Sequence, residues 1–234
     1  MKDIIDCACV IHGSMYDWIY VDKLYKGLKR NLNKKIKLHV YTEPGREVPD
    51  KYIKHPLKDL SPHGASKGWW YKVQLFDRTQ FSGQLLYLDL DVAISGSLDW
   101  ILDCDPKYFW GIRDFRYLFN QRKRELNSSL MYFNVDKFGY IWEDFKLDPG
   151  AYMSRLHGDQ NYIDKKVPPP QMQFFDEKLV RSWRWELLDG GYDINTHRHK
   201  APGTGTFVDD TRVIVFHGKP KLHEISDPVI DKYW

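Results

Sequence analysis

Apolar and polar positions fall in blocks along the chain, and most blocks predict one element. Ile4 to Ile11 reads Ile-Ile-Asp-Cys-Ala-Cys-Val-Ile, an apolar run whose length and composition predict a buried strand. After a turn through His12-Gly13-Ser14, Trp18, Val21, Leu24, Tyr25 and Leu28 recur at helical spacing, with Lys23, Lys26, Lys29 and Arg30 between them. That period predicts an amphipathic helix. Ile36 to Tyr41 alternates as a second strand, closed by Thr42-Glu43-Pro44-Gly45. Strand, helix and strand in this order predict the right-handed crossover of a parallel sheet.

Further on, Trp69 to Phe81 predicts a second helix, and Leu85-Leu86-Tyr87-Leu88 a central strand that runs into Asp89-Leu90-Asp91. Phe109 to Ile112 and Ser129 to Phe133 read as strands, and Asp159 to Asp164 as a helix. Arg212 to Phe216 forms a last strand, ending at His217-Gly218-Lys219-Pro220. Val167-Pro168-Pro169-Pro170 marks a rigid loop, but no linker or repeat divides the chain. The expectation is a single α/β domain over residues 1–234, a mostly parallel sheet flanked by helices.

Composition narrows the classes. With 42% hydrophobic and 29% charged residues among 234, the chain is neither disordered nor fibrous. Its net charge of +3 comes from interspersed signs, which argues against a nucleic-acid partner. The one basic cluster, Arg122-Lys123-Arg124, reads as a solvated loop, with a grip on an anionic acceptor as the alternative. No stretch approaches the ~18 apolar residues of a membrane span, and Met1 to Asp6 lacks the core of a signal peptide. A cytoplasmic protein is expected. Three cysteines without metal-site spacing fit buried, reduced thiols. Aromatic residues make up 15%, which points to a ring-rich core or to a flat ligand stacked on rings.

Candidate chemistry centres on Asp89 and Asp91. On an extended backbone, residues two apart project from one face, so the two carboxylates would stand together. Ionised acids held side by side need solvent, a basic partner or a cation, and oxygen ligands suit Mn²⁺ or Mg²⁺. Open α/β sheets bind ligands at the carboxyl ends of their strands, where this pair falls. A solvated acidic turn is the plain alternative.

Leu85-Leu86-Tyr87-Leu88-Asp89-Leu90-Asp91 resembles the Asp-x-Asp strand of GT-A-fold (Rossmann-like) nucleotide-sugar glycosyltransferases, and is most similar to the retaining glycogenin and lipopolysaccharide galactosyltransferase group. Asn127-Ser128-Ser129 resembles the stretch that lines that group's sugar site, Gly158-Asp159-Gln160 its Asp-Gln pair, and Phe216-His217-Gly218-Lys219-Pro220 its metal and diphosphate segment. The resemblance implies a metal held by Asp89, Asp91 and His217, and donor contacts from Ile11, His12, Tyr16, Lys72, Asp89, Leu90, Asn127, Ser128, Gly218 and Lys219. It also implies Asp159 and Gln160 at the reacting sugar carbon, although an acid at a helix start can simply cap that helix. The partners it implies are a nucleoside-diphosphate sugar, with a UDP-sugar favoured, and a hydroxyl acceptor on a glycan, lipid or protein.

Two departures stand out. The stretch after the first strand, Ile11-His12-Gly13-Ser14-Met15-Tyr16, lacks the acid with which the group reads uracil, and the short His217-Gly218-Lys219 spacing makes Lys221 an alternative phosphate ligand to Lys219. Two other function classes share parts of this pattern. A nucleotidyltransferase would need a basic, Gly-rich loop after the first strand, which His12-Gly13-Ser14 does not supply. A non-catalytic carbohydrate-binding protein would keep the sheet and an aromatic patch without donor turnover.

Overall fold

A computed structural model describes residues 3–64, 67–119, 126–187, 192–193, 198–199 and 210–234; Arg122, Lys123 and Arg124 lie outside the described residues. In chain order the strands are β1 (Ile4–Ile11), β2 (Lys35–Thr42), β3 (Ile53–Pro56), β4 (Gln84–Leu88), β5 (Val92–Ile94), β6 (Phe109–Arg113), β7 (Leu126–Asn134), β8 (Met172–Phe174), β9 (Val180–Ser182), β10 (Tyr192–Asp193), β11 (Arg198–His199) and β12 (Val213–Val215). The helices are α1 (Trp18–Asn31), α2 (Val135–Phe138), α3 (Tyr140–Phe145), α4 (Pro149–Arg155), α5 (Asp159–Lys166) and α6 (Pro228–Tyr233).

Seven strands form the main sheet in the order β3-β2-β1-β4-β7-β6-β8. Pairings β3–β2, β2–β1, β1–β4 and β6–β8 are parallel, while β7 runs antiparallel to both neighbours. A second sheet, β5-β12-β9, sits beyond β4 and takes the predicted last strand, so that strand lies outside the main sheet. The expected crossover is in place. Asp17 starts α1 by accepting the Ile19 amide at 2.9 Å, and Lys29 and Arg30 favour the negative end of the helix. Gly27 lets α1 lie close on the second sheet, since a Cβ there would stand 3.3 Å from the Ile94 side chain.

The core is split by the sheet. Cys7, Cys9, Ile11, Leu86 and Leu88 face α1 and the second sheet, whereas Ala8, Leu85, Tyr87, Met131 and Phe133 face α2, α3 and α5. Strand side chains alternate, so β4 is apolar on both faces and reads as an unbroken apolar run. Cys7 and Cys9 are buried free thiols, and burial pushes both well above the ordinary thiol pKa.

The helix expected from Trp69 to Phe81 is replaced by a 3₁₀ segment over Gly68–Phe76. Two causes are visible. Trp70 through Phe76 are all buried, so the segment has no solvent face beyond Trp69, and Gln74 ties it to an extended strip by exchanging side-chain bonds with the Lys58 backbone at 2.7 and 2.8 Å. Asp77 then ends it, accepting the Thr79 amide at 2.9 Å in a tight turn.

A buried polar chain crosses the sheet edge. His39 Nδ1 and His55 Nε2 are 2.8 Å apart, and His39 Nε2 is 2.9 Å from Asp6 Oδ1. Burial holds both imidazoles below the ordinary value, and the neighbouring His39 helps bring His55 down to about 4. The unfolded chain takes up these protons near 6.5, the folded chain only at lower pH, so stability is present above the unfolded value and declines below it. Urea unfolding between about pH 7.5 and about pH 4.5 is expected to lose about 2–3 kcal/mol from this pair. In His55→Phe, which keeps a ring on Tyr41, the slope over the same window should flatten.

Candidate active site

β4 ends at Leu88, and Asp89-Leu90-Asp91 is the turn by which the chain leaves the main sheet for β5. Asp89 N donates to Ser129 O at 2.9 Å on the main-sheet side, and Asp91 O accepts from Phe216 N at 3.0 Å on the second-sheet side. The expected extended backbone is therefore a turn, because each residue is anchored to a different sheet. Leu90 packs into the core at 3% exposure, leaving the two acids on either side of it.

Each acid has its own lysine. Asp89 Oδ1 lies 2.8 Å from Lys72 Nζ and accepts the Tyr87 hydroxyl at 2.5 Å. Asp91 Oδ2 lies 2.6 Å from Lys221 Nζ and accepts the Tyr16 hydroxyl at 3.1 Å. Burial opposes ionisation of Asp89, but the Lys72 charge and these hydrogen bonds outweigh it and hold the carboxyl below its usual range. For Asp91 burial wins over Lys221, and the Asp89 charge adds to it, so this carboxyl is pushed up. The Tyr16 phenol is raised as well, by burial and then by Asp91.

Lys72 is the hub. Its ammonium donates to Ser128 Oγ at 3.0 Å and stands 3.5 Å from Asp159 Oδ2, and Ser128 Oγ in turn donates to Asp159 Oδ2 at 2.6 Å. Burial works against this charge, but Asp159 and Asp89 more than offset it and raise the lysine pKa. Asp159 does not cap α5. Gly158 is the N-cap, and the buried Asp159 side chain turns to Ser128 and Lys72 instead. Beside it, Gln160 Oε1 accepts the Ser128 amide at 3.3 Å.

A break in β-ladder register makes this meeting possible. Gly111 pairs with Met131 but Ile112 pairs with Asn127, so residues 128–130 bulge from the β6–β7 ladder. Asn127 Oδ1 shapes the bulge by accepting the Ser129 amide at 2.9 Å. Asn127, Ser128, Asp159, Gln160, Lys72 and Asp89 are thus gathered by contact, as the spacing of their motifs could not have shown.

The segment after β12 behaves differently. His217 Nε2 is 2.8 Å from Ser182 Oγ, and its ring stacks on Phe115 at 5.4 Å. Gly218 has φ +78, and a Cβ there would meet the Arg184 guanidinium at 2.5 Å. Lys219 is exposed, and Lys221 is the lysine on Asp91. Among the described residues, no group of three or more His, Cys, Asp or Glu side chains is arranged as a metal site. The donor chemistry still fits a hard cation. Such ions bind through one or two carboxylates and complete their shell with phosphate oxygens and water. Asp89 and Asp91 offer two carboxylates whose charges act on each other.

At the mouth of β1, Ile11 is buried, and the His12 ring stacks on Tyr71 with centroids 3.7 Å apart. An acid absent from this loop in sequence arrives from the end of β2. Glu43 accepts the Gly13 amide at 2.6 Å and lies 3.9 Å from His12 Nε2. Burial opposes its ionisation, but Arg46 and the Gly13 amide bring it to about 2. The two neighbouring tryptophans separate. Trp70 is core, stacked on Phe145, while Trp69 is 40% exposed and lies over Gly158, where a Cβ would come within 2.9 Å of its indole nitrogen.

No protein-family model matches the sequence, and no curated protein matches it. Solved structures do match the fold. The galactosyltransferase LgtC, determined with donor and acceptor sugar analogues, superposes with TM-score 0.65 at 13% identity over 93% of this chain and 89% of its own. The glycosyltransferase GlyE of Streptococcus pneumoniae TIGR4 gives 0.67 at 15% identity over 98% of this chain and 60% of its own. The bifunctional glycosyltransferase WbbM gives 0.59 at 10% identity over 95% and 47%. The chain therefore has the α/β fold of these glycosyltransferases, a GT-A-like sheet flanked by helices. No helix among the described residues is long and apolar enough to cross a membrane.

Lys72→Met tests the hub. It would leave the buried Asp159 and the part-buried Asp89 without their shared cation, and a loss of about 3–5 kcal/mol in urea unfolding is expected. Ser128→Ala, which removes one bond to Asp159, should cost about 1–3 kcal/mol. Equal, small losses for the two variants would contradict the central place of the lysine.

Proposed function

We propose that this chain is a metal-dependent glycosyltransferase that moves a sugar from a nucleoside-diphosphate donor, a UDP-sugar by preference, to a hydroxyl acceptor with retention of anomeric configuration. The observation that carries the proposal is the convergence of Asp89, Lys72, Ser128, Asp159 and Gln160 at the carboxyl end of the central strand. Its support is the fold shared with LgtC, GlyE and WbbM.

In this reading residues 1–234 act as one catalytic domain. Asp89 and Asp91 would hold Mn²⁺ or Mg²⁺, with His217 as the further ligand. That ion would supply positive charge for the departing diphosphate. Lys221 and Lys219 add to it, and Gly218, with no Cβ, lets the phosphate approach the backbone. Ile11, His12 and Tyr16 border the nucleoside, and Leu90 fixes the turn that carries the two acids. Asp159, charged and held by Lys72, accepts bonds from sugar hydroxyls, as Asn127 and Ser128 do from the bulge. Gln160 lies beside the anomeric carbon and steadies charge as it grows there.

Asp159 is engaged by Lys72 and Ser128, and in this reading the acceptor attacks on the face from which the diphosphate departs. The bond from the anomeric carbon to the β-phosphate oxygen breaks, the bond to the acceptor oxygen forms, and the acceptor proton passes to the leaving phosphate. The acceptor itself is a hydroxyl of a glycan, lipid or protein.

A panel of sugar nucleotides, each with and without Mn²⁺, provides the test. A donor at one hundred times its dissociation constant should add about 2.7 kcal/mol of stability, and with Mn²⁺ should be hydrolysed slowly to free nucleoside diphosphate. Gln160→Ala should lower kcat about a hundredfold with little change in donor KM. If no donor is bound or turned over, or if Asp91→Ala retains full hydrolysis, the proposal fails.

A further inference from the structure

The two lysines that neutralise the acid pair are held in different ways. Lys72 is 7% exposed, its ammonium lies within 3.5 Å of Asp89, Asp159 and Ser128, and its backbone belongs to the buried 3₁₀ segment. It has no way out of the core. Lys221 has one ionic partner given by geometry, Asp91, and its side chain is 18% exposed. Its backbone is pinned nonetheless. The Lys221 amide donates to Glu224 Oε2 at 2.7 Å, Leu222 next to it is buried, and His223 bonds the Tyr20 hydroxyl. Only the side chain is left to move, about an anchored Cα.

The atom that Lys221 grips is the important one. Asp91 Oδ2 takes both the lysine and the Tyr16 hydroxyl, and the lysine ammonium stands 5.8 Å from the Tyr16 ring centroid. An oxygen carrying two donors has little left for a cation. Asp91 is buried, and burial disfavours its charge, so a positive partner stabilises it. Either the lysine or a divalent ion can serve, but both cannot sit on the same oxygen without repelling each other.

We propose that Lys221 is an exchangeable counter-ion that occupies Asp91 in the resting enzyme and is drawn off by the diphosphate of the donor, so that donor and divalent cation bind as a coupled pair. The inference rests on the glycosyltransferase reading above. A diphosphate concentrates more negative charge than one carboxylate, and the Lys221 side chain, 18% exposed, keeps contact with water. Moving the ammonium to phosphate frees Oδ2 for the ion and keeps Asp91 neutralised throughout. Thermodynamic linkage then requires the ion to strengthen donor binding by the same factor as the donor strengthens ion binding.

Such a device has a signature of opposite signs. Lys221→Met removes the competitor of the ion and also a ligand of the phosphate. Binding of Mn²⁺ alone, followed by electron paramagnetic resonance, should tighten about tenfold relative to the unaltered chain, while binding of UDP without metal, followed by calorimetry, should weaken about tenfold. Lys221→Arg should keep the Mn²⁺ affinity of the unaltered chain. Lys219→Met removes the same charge two residues away without breaking an ion pair to Asp89 or Asp91, and should change Mn²⁺ affinity less than about twofold. Circular dichroism and a urea melt confirm that each variant is folded.

If Lys221→Met binds Mn²⁺ no better than the unaltered chain while UDP binding and donor hydrolysis persist, the exchange is wrong and the glycosyltransferase reading stands. If Lys219→Met tightens Mn²⁺ as much as Lys221→Met, a general field explains the effect and the exchange is likewise wrong. If no form of the protein binds either Mn²⁺ or UDP, the function proposal falls and takes the exchange with it.

Discussion

A buried ammonium between a buried carboxylate, Asp159, and a part-buried one, Asp89, is the interaction on which the site depends. Lys72 reaches Asp89 on the main-sheet strand and Asp159 at the start of α5, and Ser128 bridges to the second of them. Removing a charge from water costs several kcal/mol, so none of these groups could stand there alone. The cost is met only when all are present in register. Lys72 is therefore a positioning residue first. By satisfying Asp89 and Asp159 together it fixes the distance between the turn after β4 and the first turn of α5.

The rest of the architecture serves that distance. The 3₁₀ segment that carries Lys72 has no free face and is tied down by Gln74, so the lysine approaches from a fixed direction. The bulge at residues 128–130 brings Ser128 out of the ladder toward Asp159. Crossing from β4 to β5 between two sheets places Asp89 and Asp91 on different anchors. The two acids can then differ in character although they are two residues apart: burial is overcome for Asp89 and prevails for Asp91.

Much of the fold was legible in the sequence, because β1, α1, β2 and β4 follow from periodicity and burial alone. The strands of the second sheet were harder. β5 and β9 have three residues each, too short for a period to register, and they are held by pairing with β12. Trp69 to Phe81 reads as a helix in sequence, since a largely buried 3₁₀ run and a buried helix share one apolar composition and only the ties to Lys58 and the turn at Asp77 separate them. In the site, the acid pair and the Asn127, Asp159 and Gln160 stretches could be named from motifs. What those residues touch could not. The link from Lys72 to Asp159 spans 87 positions, and the approach of Glu43 to Gly13 spans 30, distances over which residue type carries no signal.

The cleft thus has a rigid half and an adjustable half, and the division follows the chain. Asp89, Lys72, Ser128 and Asp159 all stem from elements packed into the core that faces α2, α3 and α5. Lys221 stems from a short stretch after β12, in a small sheet at the edge, with part of its side chain in water. In the proposed reading, a sugar that must be held with its anomeric carbon in one orientation requires the rigid half, because small misplacements are costly in rate. In the same reading, a charged leaving group that must enter and depart requires the adjustable half, since a cation locked in the core could neither meet it nor release it. The main sheet supplies the first and the edge sheet the second, and Asp89-Leu90-Asp91 is the turn that joins them.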